Sequence, residues 1–541
     1  MSTDDEKQLE SILWDAVVVG TGMGGGTVGH ALAKAGRKVL FLEKGLSYHT
    51  PGDQPFPDRM PEEESGYLSL TREDKVKLLR RGGRSVDAIE DISRGRQVDF
   101  RPFIGSGTGG SSALFGMVME RFYPSDFSPR QYQREVGDSS IVDEWPIRYD
   151  ELRPWYAAAE RLYRVHGTHD PLRPNEVDEA LLSPPPFTPS GQELFDYFQG
   201  QGLHPYHLHL ACDHVPECRT CQGVLCSQDC KNDSAKICVG PAVNQHGARV
   251  LSDCAVERLE ADRAKVTRIL CRWRGRDLSV RGKTVLLGAG ALFTPALLLK
   301  STSKDWPTGI GNDNDWVGRN LMRHCIDLLA VTPKSKEPIL RQTKELCLND
   351  FYYRDGLKMG SLQSFGLLPP MDYLVSMPGW IPRVLHWARP LIAGAWEKQR
   401  QKSVALAAQL EDLPYLDNRV LPANGNAAEG GQAVRLQYRL HDAEKVRLKV
   451  FRESLNRLLK PYRPVMMRNA DDNTGIAHVC GTCRFGHDPK RSVLNPDNRV
   501  HGVENLYVVD ASFFPSSAGI NPSLTIAANA LRVADVILKS T

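Results

Sequence analysis

Residues 15–26 read Asp-Ala-Val-Val-Val-Gly-Thr-Gly-Met-Gly-Gly-Gly, and this stretch decides the fold. Residues 15–19 are typical of a short buried parallel strand, because they are apolar and β-branched and a glycine follows at once. Gly20, Gly22 and Gly25 then give the G-x-G-x-x-G spacing of a dinucleotide-binding turn.

The residues that follow complete the βαβ context that this motif needs. Residues 28–35 are predicted to form a helix that Gly36 ends, and residues 38–42 are predicted to form a second strand. Glu43 stands at the end of that strand. The order strand, glycine turn, helix, strand and acid predicts a dinucleotide site, and it does not choose between FAD and NAD.

Each position of the motif has a physical task. Gly20 allows the tight turn, Gly22 lets a pyrophosphate approach the backbone, and Gly25 lets the helix pack on the strand. The helix N-terminus offers unpaired N–H groups to the phosphates. Glu43 can accept hydrogen bonds from a ribose diol.

The composition is that of an ordinary folded protein. Of 541 residues, 41% are hydrophobic and 25% are charged, which excludes a disordered or collagen-like chain. The formal net charge of +3 gives no reason to expect a nucleic-acid partner. No apolar run of about 18 residues occurs, so no transmembrane segment is expected. The acidic start of the chain lacks the features of a secretory signal, which predicts a cytoplasmic protein.

Four later segments carry a family resemblance. The C-terminal one runs from Ala477-His-Val-Cys-Gly-Thr-Cys through Asp510-Ala-Ser to Gly519-Ile-Asn-Pro-Ser-Leu-Thr, followed by an apolar helix to Ile537. Residues 109–127, 286–295 and 317–324 agree with it in the expected order. Together they resemble the glucose–methanol–choline (GMC) flavin oxidoreductases. Residues 144–156 and 413–420 look most like the bacterial glucose, gluconate and fructose dehydrogenase branch.

The resemblance implies an α/β fold, with a Rossmann-like FAD-binding domain and an interleaved α+β substrate domain built on an antiparallel sheet. The FAD domain is predicted to be discontinuous, and the remaining residues are assigned to the substrate domain. The FAD domain takes residues 10–120, 240–300 and 475–541, and the substrate domain takes residues 121–239 and 301–474.

The resemblance also implies the reaction, which is oxidation of a CH–OH group with hydride transfer to flavin N5. His478 matches the family's base, and a neutral imidazole can take the hydroxyl proton. Asn521 matches the second facing residue and can hold the alkoxide through its amide. No histidine occurs in residues 107–120, so the FAD is expected to be noncovalent. Phe115 stands where the family usually has asparagine.

The remaining cofactor residues come from the dinucleotide-binding fingerprint, which is the glycine motif of residues 20–25 together with Glu43, and from the segments that carry the family resemblance. The competing interpretation of Asp510 is a structural turn. The predicted cofactor-binding set is Gly20, Gly22, Gly25, Glu43, Gly109, Gly110, Ser111, Val256, Asp510, Ala511 and Pro522.

Six of the twelve cysteines lie within residues 212–238. The spacing of Cys221, Cys226 and Cys230, with Cys218 nearby, resembles the iron–sulfur segment of the glucose dehydrogenase branch. Three interpretations stay open: an iron–sulfur cluster with those four ligands, a disulfide-linked loop, and free thiols.

Residues 377–399 combine apolar positions at helical spacing with Arg383, His386 and Arg389. Such a segment can contact a membrane surface or a partner, or can form a lid over the pocket. As a lid, its tryptophans would favour a sizeable apolar or ring-bearing substrate.

A small-molecule alcohol is the expected substrate, and a small partner subunit or a cytochrome could accept the electrons. The alternatives to a dehydrogenase are an alcohol oxidase that uses oxygen and a non-redox lyase on the same fold.

Overall fold

The computed structural model describes most of the chain. The described residues are 8–47, 55–93, 95, 97–133, 136–174, 176, 180–216, 218, 221–335, 344–366, 368, 389–423 and 432–540. Most of the predicted segment 377–399, including Arg383 and His386, therefore lies outside them. Within these ranges, none of the helices has the length and apolar character needed to cross a bilayer.

Strands are numbered here in chain order. They are β1 Leu13–Val19, β2 Val39–Leu42, β3 Ala88–Asp91, β4 Val98–Phe100, β5 Val165–His166, β6 Tyr206–His207, β7 Leu210–Ala211, β8 Arg249–Leu251, β9 Cys254–Ala261, β10 Val266–Trp273, β11 Arg276–Leu287, β12 Cys325–Val331, β13 Leu346–Leu348, β14 Tyr353–Arg354, β15 Leu357–Lys358, β16 Gly360–Gly366, β17 Val404–Leu410, β18 Arg419–Pro422, β19 Gln432–Gln437, β20 Val465–Met467 and β21 Leu506–Val508.

The α-helices are numbered in the same way. They are α1 Met23–Lys34, α2 Arg72–Arg81, α3 Pro129–Tyr132, α4 Tyr149–Tyr163, α5 Pro189–Gly200, α6 Gly240–His246, α7 Phe293–Lys300, α8 Arg389–Arg400, α9 Asp442–Leu458 and α10 Ser523–Ser540.

A seven-stranded sheet forms the first layer. Five of its strands are parallel and lie in the order β8-β2-β1-β11-β21. The first half of β11 continues beyond β1 and pairs antiparallel with β10, which pairs with β9. Val17 and Val18 at the centre of β1 are fully buried. This is the parallel βαβ arrangement that the fingerprint predicts, so the Rossmann-like fold is confirmed.

The first helix begins earlier than the sequence pattern predicts. The prediction was residues 28–35, whereas α1 starts at Met23 with Gly22 as its N-cap residue. The reason is close packing, because a Cβ on Gly24 would lie 1.9 Å from the Val509 carbonyl oxygen, and one on Gly25 would lie 2.2 Å from that of Gly20. The glycines therefore belong to the first turn of the helix, where only a missing side chain lets it approach the strands.

An antiparallel sheet in the order β20-β12-β17-β16-β13-β6 forms the second layer. One face packs against α5 and α9, where Phe198 and Phe451 join Leu329 and Leu348 in an apolar core. The other face is open to a cavity. The antiparallel substrate sheet expected from the family resemblance is thus present, with helices covering one side.

A third sheet, in the order β18-β19-β3-β4, joins distant parts of the chain. Its β3 and β4 come from residues 88–100, whereas β18 and β19 come from residues 419–437. Two short ribbons, β14 with β15 and β5 with β7, complete the strand pairing among the described residues. The predicted domain boundaries stay a prediction.

Candidate active site

A cavity of about 1690 Å³ lies between the two large sheets. It begins at the carboxyl ends of all five parallel strands, where Gly20, Glu43, Asp253, Gly288 and Asp510 each follow one strand and line the cavity. In open α/β sheets this edge is where ligands bind. The volume exceeds the roughly 300–1,000 Å³ of a typical ligand pocket, so it has room for a dinucleotide together with a substrate.

Most of the predicted site residues line this one cavity. They are Gly20, Gly22, Glu43, Gly110, Ser111, Val256, His478, Asp510, Ala511, Asn521 and Pro522.

Gly25 and Gly109 do not line the cavity, but they pack against residues 20 and 21 of the glycine turn that does. Gly25 is the contact between α1 and the turn at Gly20. Gly109 adopts a left-handed backbone with φ of +93°, and its N–H donates to the Thr21 hydroxyl over 3.1 Å. The two glycine-rich loops therefore lock together, with an added Cβ on Gly110 only 2.9 Å from the Gly22 Cα.

Glu43 has protein partners of its own. Its carboxylate accepts from the Thr21 N–H at 3.1 Å, from the Thr21 hydroxyl at 2.6 Å and from the Gly45 N–H at 2.9 Å. Burial raises the pKa of this carboxyl, and these hydrogen bonds oppose the shift. Glu43 therefore fixes the glycine turn while it faces the cavity, and a carboxylate has further acceptor positions for a ribose.

Asp510 is tied into the wall more strongly than the prediction implied. Its carboxylate accepts from the Gly290 N–H at 2.8 Å, from the Thr294 hydroxyl at 2.5 Å and from the N–H and hydroxyl of Ser512. Burial raises its pKa against these donors. The structural-turn interpretation accounts for these contacts, and Ala511 after it lines the cavity.

The residues around the glycine turn fit a pyrophosphate. No side chain caps the N-terminus of α1, and its first turn holds no acidic residue, so the positive end of the helix dipole is available to an anion. The nearest atom to a Cβ built on Gly22 is 4.0 Å away, which leaves the backbone open to a ligand. This is the cradle that a dinucleotide needs.

His478 and Asn521 line the same cavity, at the end nearer to the antiparallel sheet. His478 is half-buried and adopts a left-handed backbone with φ of +54°, which is costly for a residue with a Cβ. Its Nδ1 lies 2.9 Å from the Nδ1 of His324, and the Nε2 of His324 lies 3.0 Å from the Ser517 carbonyl oxygen.

These contacts fix both tautomers. The Ser517 carbonyl can only accept, so the Nε2 of His324 carries the proton and its Nδ1 is an acceptor. The Nδ1 of His478 must then be the donor in the contact between the two rings. The Nε2 of His478 is left with a free lone pair, which is the form that a general base requires.

The electrostatic surroundings keep both rings neutral. Burial lowers the pKa of His478 well below its ordinary value, and the electrostatic contributions of His324 and Lys344 lower it further. Burial also lowers the pKa of His324, to about 4. Both imidazoles are therefore unprotonated at neutral pH.

His324 is a residue that the sequence prediction quoted but gave no role. It closes the stretch of residues 317–324 that carried part of the family resemblance, so its position was the available signal. An antiparallel bridge between Met322 and Cys480 sets the register that brings His324 opposite His478. Their separation of 154 residues hides this pairing in the sequence.

The loop that carries Asn521 is held by a buried polar cluster. The Gly519 N–H donates to the Tyr352 hydroxyl over 2.9 Å, and that hydroxyl donates to Asp126, 2.8 Å away. Asp126 also pairs with Lys358 at 2.6 Å, and Lys358 pairs with Glu411 at 2.9 Å. All three charged side chains are fully buried, so the loop rests on a rigid support.

The far wall of the cavity is one face of the antiparallel sheet. Its strands place alternate residues there, because cross-strand partners share a face. The lining side chains from this sheet are Ile326, Leu328, Gln363, Phe365, Ala407 and Met467. Lys344 also lines the cavity, as does Phe115, which stands where the family usually has asparagine.

The cysteine-rich segment lies against this cavity, which Cys221 lines. The Sγ atoms of Cys212 and Cys218 are 3.5 Å apart, those of Cys218 and Cys230 are 3.4 Å apart, and those of Cys226 and Cys230 are 3.4 Å apart. All twelve cysteines are free thiols, so the disulfide-linked loop is absent from the structure.

Two further residues join the predicted ligand set of Cys218, Cys221, Cys226 and Cys230. Cys212 belongs to the contacting sulfurs, and the side chains of Cys212, His214 and Cys218 place potential metal-binding atoms within 4.8 Å of one another. Their contact supplies a donor set for a metal, and the iron–sulfur assignment stays a prediction that the relatives described next do not support.

Comparison with known proteins agrees with this geometry. Two models described as GMC oxidoreductase match residues 205–326 and 414–530. The chain is 28% identical to 6'''-hydroxyparomomycin C oxidase of Streptomyces lividus, over 97% of this chain and 91% of that protein. It is 24% identical to the fructose dehydrogenase large subunit of Gluconobacter japonicus, over 98% of each chain.

Solved structures share the fold. A formate oxidase variant of Aspergillus oryzae RIB40, studied for its effect on FAD modification, superposes with a TM-score of 0.64 at 16% identity, covering 98% of this chain and 99% of that one. With GMC models matched in both halves, relatives along nearly the whole length and the fingerprint at the head of the cavity, the chain belongs to the GMC oxidoreductases, and fructose and gluconate dehydrogenase flavoproteins are among its relatives.

Proposed function

We propose that this protein is an FAD-dependent oxidoreductase that converts a CH–OH group into a carbonyl, with His478 as the base. The observation that carries the proposal is the free Nε2 lone pair of a neutral imidazole, held by His324 in the cavity that begins at the glycine turn.

The FAD would be held noncovalently along the parallel-sheet side of the cavity. The N-terminus of α1 and Gly22 suit the pyrophosphate, Glu43 suits the ribose, and Val256 lies on the adenine side. The loop of Gly110 and Ser111 and the residues Ala511 and Pro522 would support the ring. When bound, FAD supplies the acceptor for the hydride that leaves the alcohol carbon.

The protein residues supply the proton chemistry. His478 takes the hydroxyl proton at Nε2, and its Nδ1–H stays bonded to His324. The Asn521 amide, placed by the loop that Tyr352 holds, donates to the oxygen as negative charge develops on it. The sheet wall excludes water from the reacting carbon.

We propose a dehydrogenase rather than an oxidase, on the resemblance to the fructose and gluconate dehydrogenase flavoproteins. A partner subunit or a cytochrome would then take the electrons. Relatives named as aminoglycoside and diol oxidoreductases support an alcohol or sugar-type substrate.

The test is anaerobic reduction of the purified yellow holoenzyme by a panel of alcohols and sugars. Bleaching of the flavin bands supports the proposal, whereas a lyase would leave the bands unchanged while consuming substrate. Reoxidation is then compared with oxygen and with a quinone or ferricyanide. Faster reoxidation by oxygen would replace the dehydrogenase assignment with an oxidase. Iron and sulfide assays on the same sample test the cysteine cluster.

A further inference from the structure

Lys344 is a buried cation inside the proposed substrate end of the cavity. The residue is only 4% exposed and lies two positions before the start of β13. The ammonium occupies space left by a glycine, because a Cβ on Gly116 would lie 2.1 Å from its Nζ. The Phe365 ring centroid is 5.1 Å from the same nitrogen.

Three lysines are buried among the described residues, and Lys344 differs from the other two. Lys358 pairs with Asp126 and Glu411. Lys231 donates to the carbonyl oxygens of Ala113 and Val224 at 2.9 and 2.8 Å. Within the described residues, the Nζ of Lys344 forms no ion pair with a carboxylate and no hydrogen bond to a carbonyl oxygen.

A buried ammonium without a partner among the described residues is costly, because burial removes its hydration and no described group replaces that hydration. Burial lowers the pKa of Lys344 to about 7, and nearby Lys231 adds to the shift. A ligand anion in the cavity would supply the missing charge partner and restore the protonated form.

Gln363 provides a second, independent sign of a polar ligand. It is 4% exposed, lies on the cavity face of β16, and its Oε1 has no hydrogen-bond donor among the described residues. A buried orphan acceptor on a cavity wall calls for a donor such as a ligand hydroxyl. In the part of the chain that the structure describes, Lys344 therefore lacks an anion and Gln363 lacks an O–H donor.

We propose that Lys344 and Gln363 form a substrate-recognition subsite for a polyhydroxy carboxylic acid. In this subsite Nζ pairs with the carboxylate, and the Gln363 Oε1 accepts a hydrogen bond from a hydroxyl. Another carbinol of the same molecule is then presented to His478. This inference rests on the proposed function and specifies its substrate class, and it disfavours amino sugars, whose ammonium groups would meet Lys344.

The first test is binding without turnover, on the flavin-loaded protein. Acetate is titrated against neutral acetamide, and the flavin difference spectrum and the melting temperature are recorded. Acetate, and not acetamide, is expected to perturb both. Lys344→Met should weaken the acetate effect at least about tenfold, and Lys344→Arg should retain part of it. Lys334→Met, at an exposed lysine of the same chain segment, is the control that should leave it unchanged.

The second test compares matched pairs as reductants: glycerate with glycerol, and gluconate with glucitol. The acids are expected to have kcat/KM at least about tenfold higher, mainly through KM. Lys344→Met should abolish this preference, and Gln363→Leu should weaken the reaction of both members of a pair.

Equal or better reaction of the neutral alcohols, or an unchanged preference in Lys344→Met, would overturn the subsite while leaving the proposed oxidation intact. Selective acetate binding with no flavin reduction by any alcohol would support the subsite and overturn the proposed oxidation. Perturbation by both acetate and acetamide would show a subsite without charge selection, and would overturn the proposal.

Discussion

The Nδ1 atoms of His324 and His478 lie 2.9 Å apart, and the first ring sets the protonation of the second. The Ser517 carbonyl fixes the proton of His324 on Nε2, which leaves one acceptor nitrogen facing His478. A chain of hydrogen bonds therefore runs from His478 through His324 to the Ser517 carbonyl, and it leaves the lone pair of His478 on Nε2, at the cavity. This relationship leads to the first three predictions.

Replacing His478 with glutamine should lower the rate of anaerobic flavin reduction by about 10²–10⁴-fold, because no base then takes the hydroxyl proton. Flavin content, measured from the absorbance ratio of the purified protein, should stay at the wild-type level. His487→Gln, at an exposed histidine, is the matched control. A His478 variant with wild-type reduction kinetics would remove the residue from the mechanism.

Replacing His324 distinguishes a positioning role from a purely structural one. His324→Asn offers a carbonyl oxygen close to the position of Nδ1 and should keep much of the activity. His324→Leu offers no acceptor and should lower kcat by about 10–100-fold. Stopped-flow reduction and the pH profile of kcat provide the readouts. Equal loss in both variants would show that the ring's packing, and not its acceptor nitrogen, matters.

The pH dependence follows from the lowered pKa of His478. The active form is neutral, and burial, together with the electrostatic contributions of His324 and Lys344, disfavours its protonation. For a neutral alcohol substrate, we therefore expect kcat/KM to stay level as the pH falls through about 6.5, the ordinary pKa of histidine, and to decline only at lower pH. An acid limb centred near 6.5 or above would contradict this.

A lowered histidine pKa also makes the free energy of unfolding fall as the pH falls. A buried histidine whose pKa is lowered on folding is protonated more readily in the unfolded chain, so acid favours unfolding. The pKa of His324 is about 4, and its contribution is lost as the pH falls from about 6.5 toward that value. The His324→Leu variant should lose less of its unfolding free energy between pH 7 and pH 4.5 than the parent does, measured by urea denaturation.

Tyr352 connects the buried charge cluster to the loop of Asn521. Tyr352→Phe leaves the Gly519 N–H without its acceptor, which should cost about 1–3 kcal/mol of stability and lower kcat by about 10–100-fold as the loop shifts. Tyr353→Phe is the matched control, since the Tyr353 hydroxyl donates to the Ser125 hydroxyl and not to the loop of Asn521, and the aromatic ring beside Lys358 is kept. Thermal melts and turnover of both variants decide the matter.

The glycines of α1 can be tested by adding one methyl group. Gly24→Ala places a Cβ 1.9 Å from the Val509 carbonyl oxygen, which should destabilise the protein by about 1–3 kcal/mol or more and release flavin. Gly200→Ala, at the end of α5 with nothing within 4 Å of the added carbon, should leave flavin content unchanged. Full flavin retention in Gly24→Ala would show that the helix can shift.

The sequence was sufficient for the features that local spacing controls. The turn at Gly20–Gly25 needs only neighbouring residues, and the resemblance placed His478 and Asn521, which the structure brings into one cavity. The start of α1 was predicted too late, because glycines discourage a helix unless tertiary packing requires them.

What escaped prediction depends on long-range register. His324 meets His478 through a strand bridge between distant segments. Lys344 lines the cavity beside β13, whose partner strands β6 and β16 come from other parts of the chain. A lone histidine or lysine in a sequence gives no sign of either event. Burial, which changes the chemistry of both side chains, exists only in the folded chain.

The parallel sheet also constrains how the protein is made. The strand β21, which lies beside β11, is translated long after it, so a nascent chain emerging at about 5–20 residues per second exposes the edge of β11 for much of synthesis. That edge is bare, apolar and open to mispairing. The parallel sheet can therefore be completed only late in synthesis, after residues 506–508 have been made.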